Sequence, residues 1–159
     1  MKKHLGKIVA GVAILLGLVA ALLIFAGAIA PKEGAGDPIS GASIAFGNKD
    51  DKTVASLYIL AFLLPLVGVI LSVLTLLGKG GKVVPIIAAV CFVVGGIFYF
   101  LPLELVTPDL GKLSSAEAIK NFRDMLKKVA TVGLGAIFGG ILSILAGCAS
   151  VATLFVKKK

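Results

Sequence analysis

Thiols, hydroxyls and carboxylates are the reactive groups of this sequence, and their spacing decides what they can do. Cys91 lies nine residues after Lys82, and Cys148 nine before Lys157. At 1.5 Å of rise per helical residue, both sit roughly 13 Å into an apolar layer from the same edge, which makes them candidate neighbours. A redox pair needs an accessible, readily ionised thiol; apolar flanks and the lack of a CxxC spacing point to small apolar packing instead. Ser56, Ser72, Thr75, Thr131, Ser143, Ser150 and Thr153 are nucleophiles only beside a base, and no base shares their layer. Most are expected to bond to a helix carbonyl one turn back. His4, the single histidine, stands among lysines and suits neither a metal nor proton transfer. Glu33, Asp37, Asp50 and Asp51 are ligand types for calcium, but their spacing fits no EF-hand loop and lysines are interspersed. Leu145-Ala146-Gly147-Cys148 has the composition of a lipid-attachment box, which belongs at the end of an N-terminal signal peptide. No catalytic, cofactor-binding or metal-binding residue is assigned.

The segments that carry these groups set the class of protein. The chain has 159 residues, 58% hydrophobic and 15% charged, with a mean hydropathy of +1.10, outside the range of soluble domains. Apolar residues concentrate in segments 8–30, 54–77, 83–103 and 129–156, each long enough for the roughly 20 residues of a bilayer-spanning helix. The alternation of a membrane barrel is absent. The expected fold is an all-α integral membrane protein, a four-helix transmembrane bundle forming a single domain. Outer loops fall at 31–53 and 104–128, and an inner link at 78–82. Tyr58, Tyr99 and the two cysteines are the only ionisable groups within the four segments. Proton relays, ion-coupled transporters and rotor proteolipids place an ionisable group inside the membrane, and membrane proteases and metalloenzymes need acidic or histidine clusters; this sequence has neither, so no enzyme is expected.

Charge gives the orientation. Lys2, Lys3, Lys7, Lys79, Lys82 and Lys157 to Lys159 lie on one side with no acidic residue, while the other side carries eight basic and eight acidic residues. By the positive-inside rule both termini are cytoplasmic. Anionic lipid headgroups are the expected partner of these lysines, and no folded domain stands on that face to hold nucleic acid. The N-terminal run is longer than the apolar core of a signal peptide and Pro31 follows Ala28-Ile29-Ala30, so it is read as an uncleaved first span.

Packing signals are strongest in the last segment. Gly135, Gly139, Ser143 and Gly147 recur every fourth residue, with Ala136 and Gly140 in a parallel row. Residues i and i+4 share a helix face, and small residues let membrane helices approach closely, so this helix is expected to be the axis of the bundle. Pro65 is expected to bend the second span. Gly78 to Lys82 is too short for anything but a tight antiparallel link.

The first outer loop, rich in Gly, Pro, Asp and Asn, reads as a set of turns, with a short extended piece at Ile39 to Phe46 and Asp50 or Asp51 as a helix cap. In the second, Ser114 and Glu117 match a capping box. The helix that follows places Ile119, Phe122, Leu126 and Val129 on one face and pairs Lys120 with Asp124 on the other. This extra amphipathic helix is expected along the outer headgroups, with Gly133 loosening its junction to the last span; the other arrangement continues that span and covers the first loop.

At an offset of 75, Gly6-Lys7 aligns with Gly81-Lys82, Phe25 with Phe100, and Val54-Ala55 with Val129-Ala130, as in two parallel hairpins. The order of parts resembles claudin-like four-span families in topology alone. The tryptophan and paired loop cysteines of claudins are missing, so no function is carried over. Lysine-rich ends, short loops and no N-glycosylation sequon suit a bacterial plasma membrane. The expected function is that of a non-catalytic membrane protein acting through assembly, as a homo-oligomer or accessory subunit of a larger membrane complex. The alternative is a pore or carrier subunit for an uncharged or apolar solute, gated without buried charge.

Overall fold

The computed structural model describes residues 2–32, 37–47, 53–54, 56–108 and 115–156. The first half comprises α1 (Lys2–Leu22), a 3-10 turn (Leu23–Phe25), β1 (Gly27–Pro31), β2 (Ile39–Ser40), α2 (Gly41–Phe46), β3 (Thr53–Val54), a second 3-10 turn (Ser56–Ile59) and α3 (Leu60–Leu76). The second half comprises α4 (Val83–Tyr99), α5 (Pro102–Leu105), β4 (Thr107–Pro108), α6 (Ala116–Val129), β5 (Ala130–Val132) and α7 (Leu134–Val156). Stretches His4–Phe25, Leu57–Leu76 and Leu134–Val156 are long and apolar enough to cross a membrane, and α4 is a shorter apolar helix. A largely helical chain with three such helices is compatible with an all-α membrane protein.

The long helices form a square, each packed on two neighbours in the order α1, α3, α4, α7 and back to α1. The expectation that α7 is an axis for the other three is therefore corrected. Neighbouring axes stand about 8–10 Å apart and diagonal ones farther, so α7 packs on α1 and α4 but meets α3 chiefly through side chains. The link from α3 to α4 reverses tightly because Gly78, Gly80 and Gly81 all take positive φ, which only glycine adopts without strain. Gly78 N–H bonds the Thr75 carbonyl and Lys79 N–H the Leu74 carbonyl, the paired bonds of a Schellman ending.

At the opposite end the chain builds a cap, and there the segment boundaries are corrected. The first and last apolar segments do not stay helical: residues 27–31 and 130–132 are strands, paired antiparallel through Ile29↔Val132, Ala30↔Thr131 and Pro31↔Ala130. With β2 they form a three-stranded sheet in the order β2-β1-β5, while β3 pairs with β4. Hydropathy cannot separate such strands from helix ends, since both are uncharged and apolar. Gly133 does more than loosen a junction. A Cβ there would collide with the Gly27 carbonyl oxygen, and its N–H donates to the Ala28 carbonyl at 2.7 Å.

Helix starts in the cap follow their serines. Ile39 to Phe46 is mostly helix rather than an extended piece, because the Ser40 hydroxyl accepts from Ser43 N–H at 3.1 Å and so caps α2. For α6 the cap is Ser115, accepting from Ala118 N–H at 3.3 Å, and Ser114 lies outside the described residues. The N-cap is thus displaced by one residue and the expected capping box is not formed, since N3 is Ala118; Glu117 stays in the first turn, where its charge favours the helix dipole. The proposed caps Asp50 and Asp51, with Glu33 and Lys157 to Lys159, also lie outside the described residues.

Candidate functional site

Along the bundle, small residues on one helix meet large ones on another. A Cβ on Gly135 would meet Ala26 and the Gly27 carbonyl; on Gly139 it would stand 2.7 Å from the Tyr99 ring, and on Gly140 2.5 Å from the Phe100 ring. The Ser143 hydroxyl donates to the Phe92 carbonyl at 2.7 Å. Gly147 faces Val93 and the Ala89 carbonyl. All five are buried. Four of them face α4, whereas Gly135 faces the end of the first span. Gly96 and Gly140 are reciprocal, each presenting its carbonyl to the other's missing side chain.

Three layers of side chains close the centre. Toward the cap, Tyr99 of α4 donates its hydroxyl to the Ala20 carbonyl of α1 and packs edge-on against Tyr58, the rings 6.4 Å apart at 81°. The Tyr58 hydroxyl is buried and has no hydrogen-bond partner among the described residues. In the middle, Phe92 fills the space beside Gly17 of α1 and Gly68 of α3. Toward the link, the Ser72 and Ser150 hydroxyls meet at 3.4 Å and join α3 to α7, with Ala10, Thr75, Pro85 and Thr153 around them. Thr75 and Thr153 bond carbonyls one turn back, as expected. Ser143 and the Ser72–Ser150 pair instead reach another helix, because they face the interior where a second backbone or hydroxyl is close. Nothing in the spacing of single segments reveals these cross-bundle pairs.

The cysteines divide. Both are free, Cys91 half-buried and Cys148 exposed; Cys148 follows Gly147 in the row and is turned to the perimeter, so its expected packing role is corrected.

The cap holds a cleft of about 470 Å³ between the ends of β1 and β2 and the last turn of α6. Ile29, Ile39, Leu126 and Val129 give it apolar walls, with Lys32, Lys128 and Asp37 among its lining residues. Lys32 closes the end of α6, its ammonium donating to the Lys127 carbonyl at 2.6 Å and its N–H to the Val129 carbonyl at 2.9 Å. Helix C-terminal carbonyls favour such cations. Lys127 pairs with Glu104, and Arg123 donates to the Val106 carbonyl. The expected Lys120–Asp124 pair is not formed; lysine preceding the acid is the weaker order for an i,i+4 pair. Chemically the cleft offers apolar contact and charge, and among the described residues its lining includes no thiol, hydroxyl or histidine. Among the described residues no three His, Cys, Asp or Glu side chains gather to hold a metal.

Of the amphipathic face, Phe122 and Leu126 pack on the core of the cap, Ile119 is half-buried, and Val129 is exposed. This face thus covers the first loop, as in the second of the two expected arrangements, but α6 does not continue the last helix, because β5 stands between α6 and α7. Burying a phenylalanine contributes about 1.5–3 kcal/mol. Phe122→Asp is therefore expected to release α6 and to speed tryptic cleavage at Arg123, Lys127 and Lys128 while the bundle keeps its helical signal. Cleavage at the wild-type rate would show that this face does not hold α6 down.

Compared with known proteins, the chain matches no family model, no curated protein and no solved structure.

Proposed function

We propose that this chain is a non-catalytic four-span membrane protein that acts through assembly, with itself or as an accessory subunit beside a larger membrane partner. One observation carries the reading: the bundle centre is filled from end to end by Tyr99, Phe92 and the Ser72–Ser150 pair. Buried hydroxyls tie one helix to another, and the surface left for action is the perimeter and the cap. The filled centre also weighs against passage of a solute through one copy.

A spanning role for α4 is supported by its exposed apolar residues, which run from Val83 to Phe100. Seventeen steps of 1.5 Å reach about 25 Å, near the roughly 30 Å of a hydrocarbon core once tilt and local thinning are allowed. The lysine asymmetry supports cytoplasmic termini in a bacterial plasma membrane, with anionic headgroups at the link end.

Native size in mild detergent, with solute flux in liposomes, tests the proposal. The expected result is a particle larger than one 16.2 kDa chain, or one holding a second membrane protein, in vesicles that keep their gradients. A monomer that makes vesicles leak would overturn it in favour of the pore.

A further inference from the structure

We infer that α2 is seated in the membrane interface, where Phe25, Phe46 and Phe62 form an aromatic anchor against lipid at the cap end. Phe62 of α3 receives both other rings edge-on, Phe25 at 6.4 Å and 75° and Phe46 at 6.3 Å and 76°. Phe25 and Phe46 are nonetheless 61% and 57% exposed, although Phe46 belongs to a loop helix and not to a span.

The geometry of α2 leaves Phe46 no other place. Gly41 N–H donates to the Ala26 carbonyl, and Gly41 lies so close to Ile24 that a Cβ there would stand 2.7 Å from the Ile24 carbonyl oxygen. The start of α2 is thereby fixed to the end of the first span. Ile44 and Ala45 are buried in the cap, so the next residue, Phe46, is turned outward beside α3. Lipid is the occupant because the apolar residues nearest these rings in sequence, Leu22, Leu57 and Leu63, are exposed like the apolar perimeter of the bundle. After Gly47 the sequence passes to Asn48-Lys49-Asp50-Asp51-Lys52, and an aromatic group followed by charge is the pattern of a chain leaving the interface.

This rests on the membrane reading above but not on its orientation. The sequence has no tryptophan, so Phe46→Trp supplies a single emitter and Ile70→Trp, exposed halfway along α3, a reference. In liposomes, the emission of Phe46→Trp is expected to be blue-shifted, to lose most of its intensity to lipid brominated near the headgroup, and to resist aqueous iodide. The Ile70→Trp variant is expected to respond most to lipid brominated deep in the chains. Iodide quenching at position 46 with lipid quenching at position 70 would overturn the anchor alone. Blue emission at position 46 insensitive to both quenchers would mean that protein covers the ring, which also overturns it. Loss of lipid quenching at both positions would overturn the membrane reading itself.

Discussion

Phe92→Ala is expected to be the most damaging single change in the bundle. The ring is fully buried and fills the space left by two glycines: a Cβ on Gly17 would overlap it, and one on Gly68 would stand 2.9 Å away. Phe→Ala in a core costs about 3–5 kcal/mol, part for transfer and part for the cavity left behind. In lipid the transfer part fades, because acyl chains are as apolar as the core, so a cost near the lower end of that range is expected. Neighbouring helices carry small residues here and cannot fill the hole without moving backbone. Unfolding in mixed detergent measures the loss, with Phe138→Ala, on the exposed face of α7, as control. The pairing is tested separately by Gly17→Ala with Phe92→Leu. Each alone should destabilise, and together they should cost less than their sum, since contacting residues couple by about 0.5–3 kcal/mol. Equal stability of Phe92→Ala and the control would remove the ring from the core.

Gly139→Leu is expected to follow closely. Its first side-chain carbon would lie 2.7 Å from the Tyr99 ring, which has nowhere to go: it is buried against Tyr58 and held to α1 by its hydroxyl on the Ala20 carbonyl. Overpacking costs about 1–3 kcal/mol, and the broken hydrogen bond adds about 0.5–1.5 kcal/mol. A lowered melting temperature in detergent is the expected result. If the native particle holds several copies, its size should be kept at temperatures where the fold survives, because Gly139 faces Tyr99 of α4 within the same chain. Phe138→Leu, adjacent in sequence but exposed, is the control, and Tyr99→Leu should relieve part of the damage. Gly139→Leu melting with its control would show that α4 and α7 do not meet there.

Hydropathy, glycine spacing and charge are local properties, and they determined the parts of this protein that depend on local properties. The apolar segments are legible because lipid asks the same of every residue in a span. The tight link is legible because Gly78 to Lys82 has room for nothing else, and the face of α6 because its apolar residues repeat at helical spacing. The row from Gly135 to Gly147 is visible for the same reason, although no local signal says which helix it faces. Tertiary structure alone decided the square arrangement, the Tyr99, Phe92 and Ser72–Ser150 ties, and the strands that end the first and last apolar segments. Ile29 to Pro31 and Ala130 to Val132 pair with each other across about a hundred residues of chain, and a run of apolar residues reads alike whether its hydrogen bonds are local or distant. The cap cleft is likewise silent in sequence, because Lys32, Asp37 and Lys128 come together only after β1 and β5 have paired.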